Sequence, residues 1–297
     1  MEASALTKIA PPIILGLMML GMGLSMVKDD FHRVLQYPKA ISIGMLGQLL
    51  ILPTIAFMLC SILPTSPEVC VGIMIVAACP GGPGSNLVAH LCGGDTALSV
   101  SLTAVSSLVT GITIPIVTQI ATTHFMGQAT QLETATLIEM GIKVCILTLP
   151  PVFIGMWIRS KNPERAAKAE KPVKVSAVIF LVLLVVGIAI KERDNLADLL
   201  QQAGLLGVLL CASTMTIGYA LSRGFKLDQD QSISIMIEVG IQNAALAFLI
   251  TTTMLDNTAM SIPAAVYSPV MLITSGLLIA WFNFKSPSTA NHCASSS

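Results

Sequence analysis

Pro80-Gly81-Gly82-Pro83-Gly84-Ser85-Asn86 and Glu238-Val239-Gly240-Ile241-Gln242-Asn243 each interrupt a stretch long and apolar enough to cross a bilayer. Hydrocarbon offers no hydrogen-bond partners, so two prolines and three glycines between positions 80 and 84 would free several backbone groups at several kcal/mol each if they faced lipid. Such a break survives where something polar uses it. A carboxylate at the second break strengthens the point, because charge at membrane depth is costly and marks a functional site by default. Two Gly/Pro kinks and a carboxylate satisfied by neighbouring helices is the plainer reading of the same residues.

Composition sets the class. With 54% hydrophobic residues, 11% charged residues and a mean hydropathy of +0.81, the chain is far from the roughly 25% charged content of soluble domains. It reads as an all-α integral membrane protein. A formal net charge of zero gives no field that would draw nucleic acid or an acidic partner. The seven cysteines stand singly, mostly inside apolar runs, and read as small core residues, not as a disulfide framework or zinc site.

Apolar stretches able to cross about 30 Å lie near 9–27, 39–63, 69–92, 95–122, 133–158, 173–190, 202–222, 230–255 and 258–284. The sequence therefore predicts nine spans, with the breaks in the third and eighth. Basic residues cluster on one side: Lys28, Arg33 and Lys39, then Arg159, Lys161, Arg165, Lys168, Lys171 and Lys174, then Arg223, Lys226 and Lys285. That side should be cytoplasmic, placing the N-terminus outside and the C-terminus inside. The two broken spans cross the membrane in opposite directions and carry similar amide-bearing patches, Ser85-Asn86 and Gln242-Asn243. This is the weak symmetry of inverted-topology repeats, whose broken helices build a midplane site in secondary transporters. Residues 1–158 would hold the first repeat, spans one to four, plus span five. Residues 159–175 form a charged cytoplasmic linker, 176–285 the remaining spans six to nine, and 286–297 a disordered cytoplasmic tail.

Among the sixteen acidic residues, Glu139 and Glu238 alone lie well inside apolar runs. Glu238 sits about 12 Å into its span at 1.5 Å per residue, next to a glycine that loosens the helix. It could bind a hard cation together with unwound carbonyls, or carry a proton. Glu139 has Lys143 one turn on, in the order that favours an ion pair; substrate binding is its other reading. Thr96, Ser99, Thr103, Ser106, Thr110 and Thr113 recur at intervals of three and four, which places six hydroxyls on one helix face. Such a stripe suits either close helix packing with back-bonded hydroxyls or a polar site. Its top, Ser99 and Thr103, follows the first break through the Gly93-Gly94-Asp95 hairpin. Gln48 is an amide inside span two, and His90 lies just beyond Asn86, where a packing role or a proton relay is open.

These residues resemble the bile acid:sodium symporter family over nearly the whole chain. The match runs from Gly21-Met22-Gly23-Leu24, through Gly81-Gly82-Pro83-Gly84-Ser85-Asn86 and Gly94-Asp95-Thr96-Ala97-Leu98-Ser99-Val100, to Glu238-Val239-Gly240-Ile241-Gln242-Asn243. The chain is identified as a bacterial member with nine spans, although bacterial members usually carry an additional first helix. The resemblance implies a panel domain of spans one, five and six against a core domain of spans two to four and seven to nine, with two discontinuous helices crossing in the core. It implies a first sodium site at Ser85, Asn86, Ser99, Thr103 and Glu238. A second would use Gln48, Glu238 and Gln242 with main-chain oxygens of Val239 and Ile241. Substrate would lie near Pro83, Gly84 and Asn243, where half-helix N-termini present N–H groups to an anion.

Where the family commonly has Gly-Gly-Thr-Ala-Ser-Asn, Pro83 and Gly84 replace the Thr and Ala. Where bile-acid carriers often show Trp-His-Asn, this chain has Val270-Met271-Leu272. The resemblance thus implies sodium-driven import, with two sodium ions, of an organic anion other than a bile salt, by alternating access in a bacterial inner membrane. A proton-coupled carrier or cation/proton exchanger is the alternative. An intramembrane protease is the rival from another class: Cys92-Gly93-Gly94-Asp95 is similar to Gly-x-Gly-Asp, but the first glycine is a cysteine and no second intramembrane Asp accompanies it. Neither H-E-x-x-H nor G-x-S-x-G occurs.

Overall fold

The computed structural model describes residues 2–27, 37–82, 84–127, 132–191 and 196–285. Pro83, the tail 286–297 and the basic residues Lys28, Arg33 and Arg193 lie outside them. The described chain is helical throughout: α1 (Glu2–Ser25), α2 (Pro38–Ile62), α3 (Pro67–Ala78), α4 (Ser85–Leu91), α5 (Thr96–Met126), α6 (Thr134–Lys161), α7 (Pro163–Lys191), α8 (Leu196–Gly224), α9 (Gln229–Gly240), α10 (Ala244–Met254) and α11 (Ile262–Lys285). Among the described residues, five helices are long and apolar enough to cross a membrane: α2, α5, α6, residues Leu200–Gly224 of α8, and Ala259–Phe284, which holds most of α11. Isoleucines such as Ile112, Ile116, Ile138, Ile142 and Ile146 are exposed along α5 and α6, as lipid-facing positions should be. The protein is an integral membrane protein. The charged stretch after α6 is itself helical from Pro163 onward.

Helices α3 and α9 end where their sequences forbid continuation. Cys79 turns extended (ψ 157°) ahead of Pro80, whose ring has no N–H to give. After Gly240, Ile241 is extended (φ −106°, ψ 103°). The two extended pieces lie antiparallel and satisfy one another: Gly82 N–H donates to Ile241 O (2.8 Å), and Asn243 N–H donates to Pro80 O (2.9 Å). The resulting bridge pairs Gly81 with Gln242. The backbone groups that lipid could not satisfy are therefore spent on each other at the crossing. Each chain then resumes a helix. Asn243 caps α10, its side-chain oxygen accepting from Leu246 N–H (3.1 Å).

Around the crossing, α9 lies on α8, and α8 also packs on α11. Helix α1 packs on α6 and α7 and touches α10. A π-helical turn at Gly47–Ile51 widens α2 just before Pro53, and it carries Gln48. The Gly93-Gly94-Asp95 hairpin returns the chain from α4 to α5. Asp95 caps α5 by accepting from Ala97 N–H and Leu98 N–H, both 3.0 Å. Its backbone docks on α9: Asp95 N–H donates to Asp230 O (3.1 Å), and Ser234 Oγ donates to Asp95 O (2.8 Å). The aspartate of the protease-like motif is thus a helix cap.

Candidate functional site

Glu238 lies in the last turn of α9, 1% exposed, with no cation side chain among its hydrogen-bond partners in the described residues. Its carboxylate faces the top of α5. Thr103 Oγ1 donates to Oε1 (2.5 Å) and Ser99 Oγ lies 3.1 Å from Oε2. Asn86, in the first turn of α4, brings its side-chain oxygen to 2.8 Å from Ser99 Oγ and 3.5 Å from Thr103 Oγ1. Ser85 is fully buried beside the carboxylate and donates to Gly82 O (2.8 Å). All five side chains expected to gather here do so.

The arrangement holds more oxygens than hydrogens. A hydroxyl has one hydrogen. Ser99 and Thr103 each face both the Glu238 carboxylate and Asn86 Oδ1, so two hydroxyl hydrogens serve three acceptor oxygens. Hard cations take sets of this kind, a carboxylate with neutral oxygens. Gly81 permits the approach: a Cβ there would collide with the carboxylate itself.

On the other side of the break, Gln48 and Gln242 meet across the crossing. Gln48 Nε2 donates to Gln242 Oε1 (2.6 Å) and Cys79 O (2.8 Å). Gln242 Nε2 donates to Val239 O (2.8 Å), Glu238 O (3.3 Å) and Gln48 Oε1 (3.4 Å). Gln48, Gln242 and Val239 therefore form a second oxygen-rich cluster. Glu238 faces this cluster with its main-chain oxygen, while its carboxylate bonds within the first. The Ile241 carbonyl is engaged by Gly82 N–H.

The residues expected to meet substrate are more dispersed. Gly84 is exposed, with open space where a side chain would point. Asn243 is 1% exposed; its side-chain oxygen caps α10, and its Nδ2 reaches Met19 Sδ of α1 at 4.0 Å. Of the hydroxyl stripe on α5, Ser99 and Thr103 alone reach Glu238. Ser106 and Thr110 bond back to the preceding turn, Thr113 Oγ1 is buried without a partner, and Thr96 reaches His90 Nδ1 (3.4 Å). Glu139 and Lys143 form their own ion pair at 2.7 Å, with side chains 63% and 51% exposed.

Sequence reasoning missed the residues that hold the second break from behind. Tyr267 Oη donates to Gly240 O (2.9 Å), Cys211 Sγ approaches the same oxygen (3.7 Å), and Gln242 N–H donates to Met271 Sδ (3.1 Å). Tyr267 and Cys211 belong to no motif, each being a single residue in an apolar span, and Met271 stood out only as part of the Val270-Met271-Leu272 departure, not as a support of the break.

Several known proteins are similar to this chain. The model of the Sodium Bile acid symporter family matches residues 12–199. The "Uncharacterized sodium-dependent transporter YocS" of Bacillus subtilis is 30% identical over 284 residues, covering 94% of this chain and 81% of that one. A "Probable sodium/metabolite cotransporter BASS1, chloroplastic" of Arabidopsis thaliana is 30% identical, over 91% of this chain and 65% of its own length. The human "Ileal sodium/bile acid cotransporter" is 28% identical, over 79% of this chain and 66% of its own.

Proposed function

From the premise that the chain belongs to the sodium bile acid symporter family, and so is a membrane transporter and not an enzyme, we propose that it couples sodium to the import of a small organic anion by alternating access. One observation carries this reading: the buried Glu238 carboxylate set among Asn86, Ser99 and Thr103 with fewer hydrogens than oxygens. Ser85, Asn86, Ser99, Thr103 and Glu238 would hold one sodium ion. Gln48, Gln242 and the carbonyls of Val239 and Ile241, with Glu238, would hold a second. The anion would bind beside Pro83, Gly84 and Asn243.

Nine spans, divided into a panel of spans one, five and six and a core of the rest, suit the packing of α1 on α6 and α7. Sodium would tie α4, α5 and α9 together through side chains from all three. Substrate affinity would then rise with sodium, and sodium affinity with substrate, by reciprocity. Two sodium ions with a monovalent anion carry one net positive charge inward, worth about 2.3 kcal/mol per 100 mV with the cytoplasm negative. The basic side, holding Arg159, Lys161 and Arg223, would be cytoplasmic in a bacterial inner membrane, with the N-terminus outside. Sodium/metabolite and sodium/bile acid cotransporters are both among the relatives. With Pro83-Gly84 and Met271 in place of the residues common in bile-acid carriers, a bile salt is not the expected cargo.

The test is thermal unfolding of the purified protein across small carboxylates, sulfonates and steroid anions, in sodium and in potassium. A ligand that binds the native state raises its stability by mass action. Sodium, and an anion in sodium only, should stabilise the protein, and Glu238→Gln should abolish both effects. Uptake that follows a pH gradient and ignores sodium would replace this reading with a proton-coupled carrier, since a lone carboxylate can serve either ion.

A further inference from the structure

We propose that Tyr267, assisted by Cys211 and Met271, is a positioning residue for the second sodium site: it anchors the Gly240 carbonyl at the end of α9, between the Val239 carbonyl that faces Gln242 and the Ile241 carbonyl that faces Gly82. The inference rests on the reading of that cluster as an ion site.

The last carbonyls of a helix lack partners within it, and inside a membrane each must find one elsewhere. At the end of α9 they divide between two sides. Val239 O accepts from Gln242 Nε2 and Ile241 O from Gly82 N–H, both toward the crossing. Gly240 O, between them, turns away to Tyr267 Oη at 2.9 Å and Cys211 Sγ at 3.7 Å. Gly240 is the last residue of α9 and Ile241 is extended, so the chain leaves the helix at the Gly240 peptide, and holding that carbonyl fixes the direction in which Ile241 and its carbonyl depart. Met271, one turn beyond Tyr267 on α11, takes the Gln242 N–H at 3.1 Å. Helix α11 thus grips the backbone both before and after Ile241.

The Tyr267 hydroxyl is the informative atom. The side chain is fully buried and is among the largest buried in the protein. Phenylalanine would fill the same space without a polar group to desolvate, so apolar packing alone does not account for a hydroxyl there. What the hydroxyl adds is one directed bond to the carbonyl at the break.

Tyr267→Phe tests this, compared with Thr103→Val in the first cluster. Thermal unfolding in potassium should fall modestly for Tyr267→Phe, because the Gly240 carbonyl keeps only its Cys211 contact, and should fall further in sodium. The sodium concentration giving half-maximal stabilisation should rise about five- to tenfold, as loss of one hydrogen bond would predict. The Hill slope of sodium-activated uptake should fall from about two toward about one as the second site uncouples. Cys211→Ala, which removes the longer contact, should shift sodium binding the same way by less. An unchanged sodium titration and slope in Tyr267→Phe, with Thr103→Val still weakening sodium, overturns the proposal and leaves the transport reading standing. Loss of stability in potassium equal to that in sodium assigns Tyr267 to the fold and overturns it too. If Tyr267→Phe does not fold, Cys211→Ala decides by the same sodium titration. Were sodium to have no effect on the wild-type protein or on either cluster's variants, the transport reading itself would fall.

Discussion

Gly81→Ala adds one methyl group to the first break where that break faces the Glu238 carboxylate. A Cβ there would overlap Oε1 and press on the carboxylate carbon. The nearest obstacle is the end of a side chain, so the carboxylate is what would move. In moving it gives up the bonds from Thr103 (2.5 Å) and Ser99 (3.1 Å). Hydrogen bonds to a charged group are worth about 1.5–3 kcal/mol each, so about 3–6 kcal/mol of positioning is at stake. At 1.4 kcal/mol per decade, even the lower end is more than about a hundredfold in sodium affinity. The assay is a sodium titration of thermal stability in purified protein, paired with sodium-driven uptake in vesicles. Gly84→Ala is the matched control for the titration, because a Cβ there meets nothing within 4 Å. A Gly81→Ala protein with the wild-type sodium titration would refute the placement of the carboxylate and the ion site built on it.

Two further outcomes separate the site from its surroundings. Asp95→Ala removes the cap of α5 and its bonds to Ala97 N–H and Leu98 N–H, and should cost about 1 kcal/mol. Thermal unfolding should register this as a modest fall, about 2–4 °C, with the sodium titration unchanged. Replacing Glu139 and Lys143 together by Gln removes both members of the ion pair at once and should leave sodium-dependent uptake at the wild-type level. A loss of uptake in that double variant would move the pair into the transport pathway.

The sequence made the breaks legible because Pro80, Gly81, Gly82 and Gly240 violate the rules of a lipid-embedded helix, whatever the rest of the chain does. It also made Glu238 legible, since a buried acid in an apolar run stands out, and Ser99 with Thr103, which share a face at helical spacing. The stripe as a whole said less. Six hydroxyls repeat along α5, but Ser99 and Thr103 alone reach the carboxylate, because that is where the end of α9 meets α5. Pairing of Glu139 with Lys143 was readable from spacing, as it is a local property of one helix.

What one helix does by itself, the residues determined: where it stops, which face is apolar, which acid has no business in lipid. What two distant segments do together, tertiary structure decided. Ser99 and Glu238 are 139 residues apart, and Gln48 and Gln242 are 194 apart. Their contacts exist because the two breaks hydrogen-bond to each other as a short antiparallel bridge, which fixes the height and angle at which four helix ends meet. The role of Gly81 as the space for a carboxylate, and of Tyr267 as the partner of an orphaned carbonyl, follow from that crossing. Neither has a local signature, because a glycine in a break and a tyrosine in an apolar span look the same wherever they face.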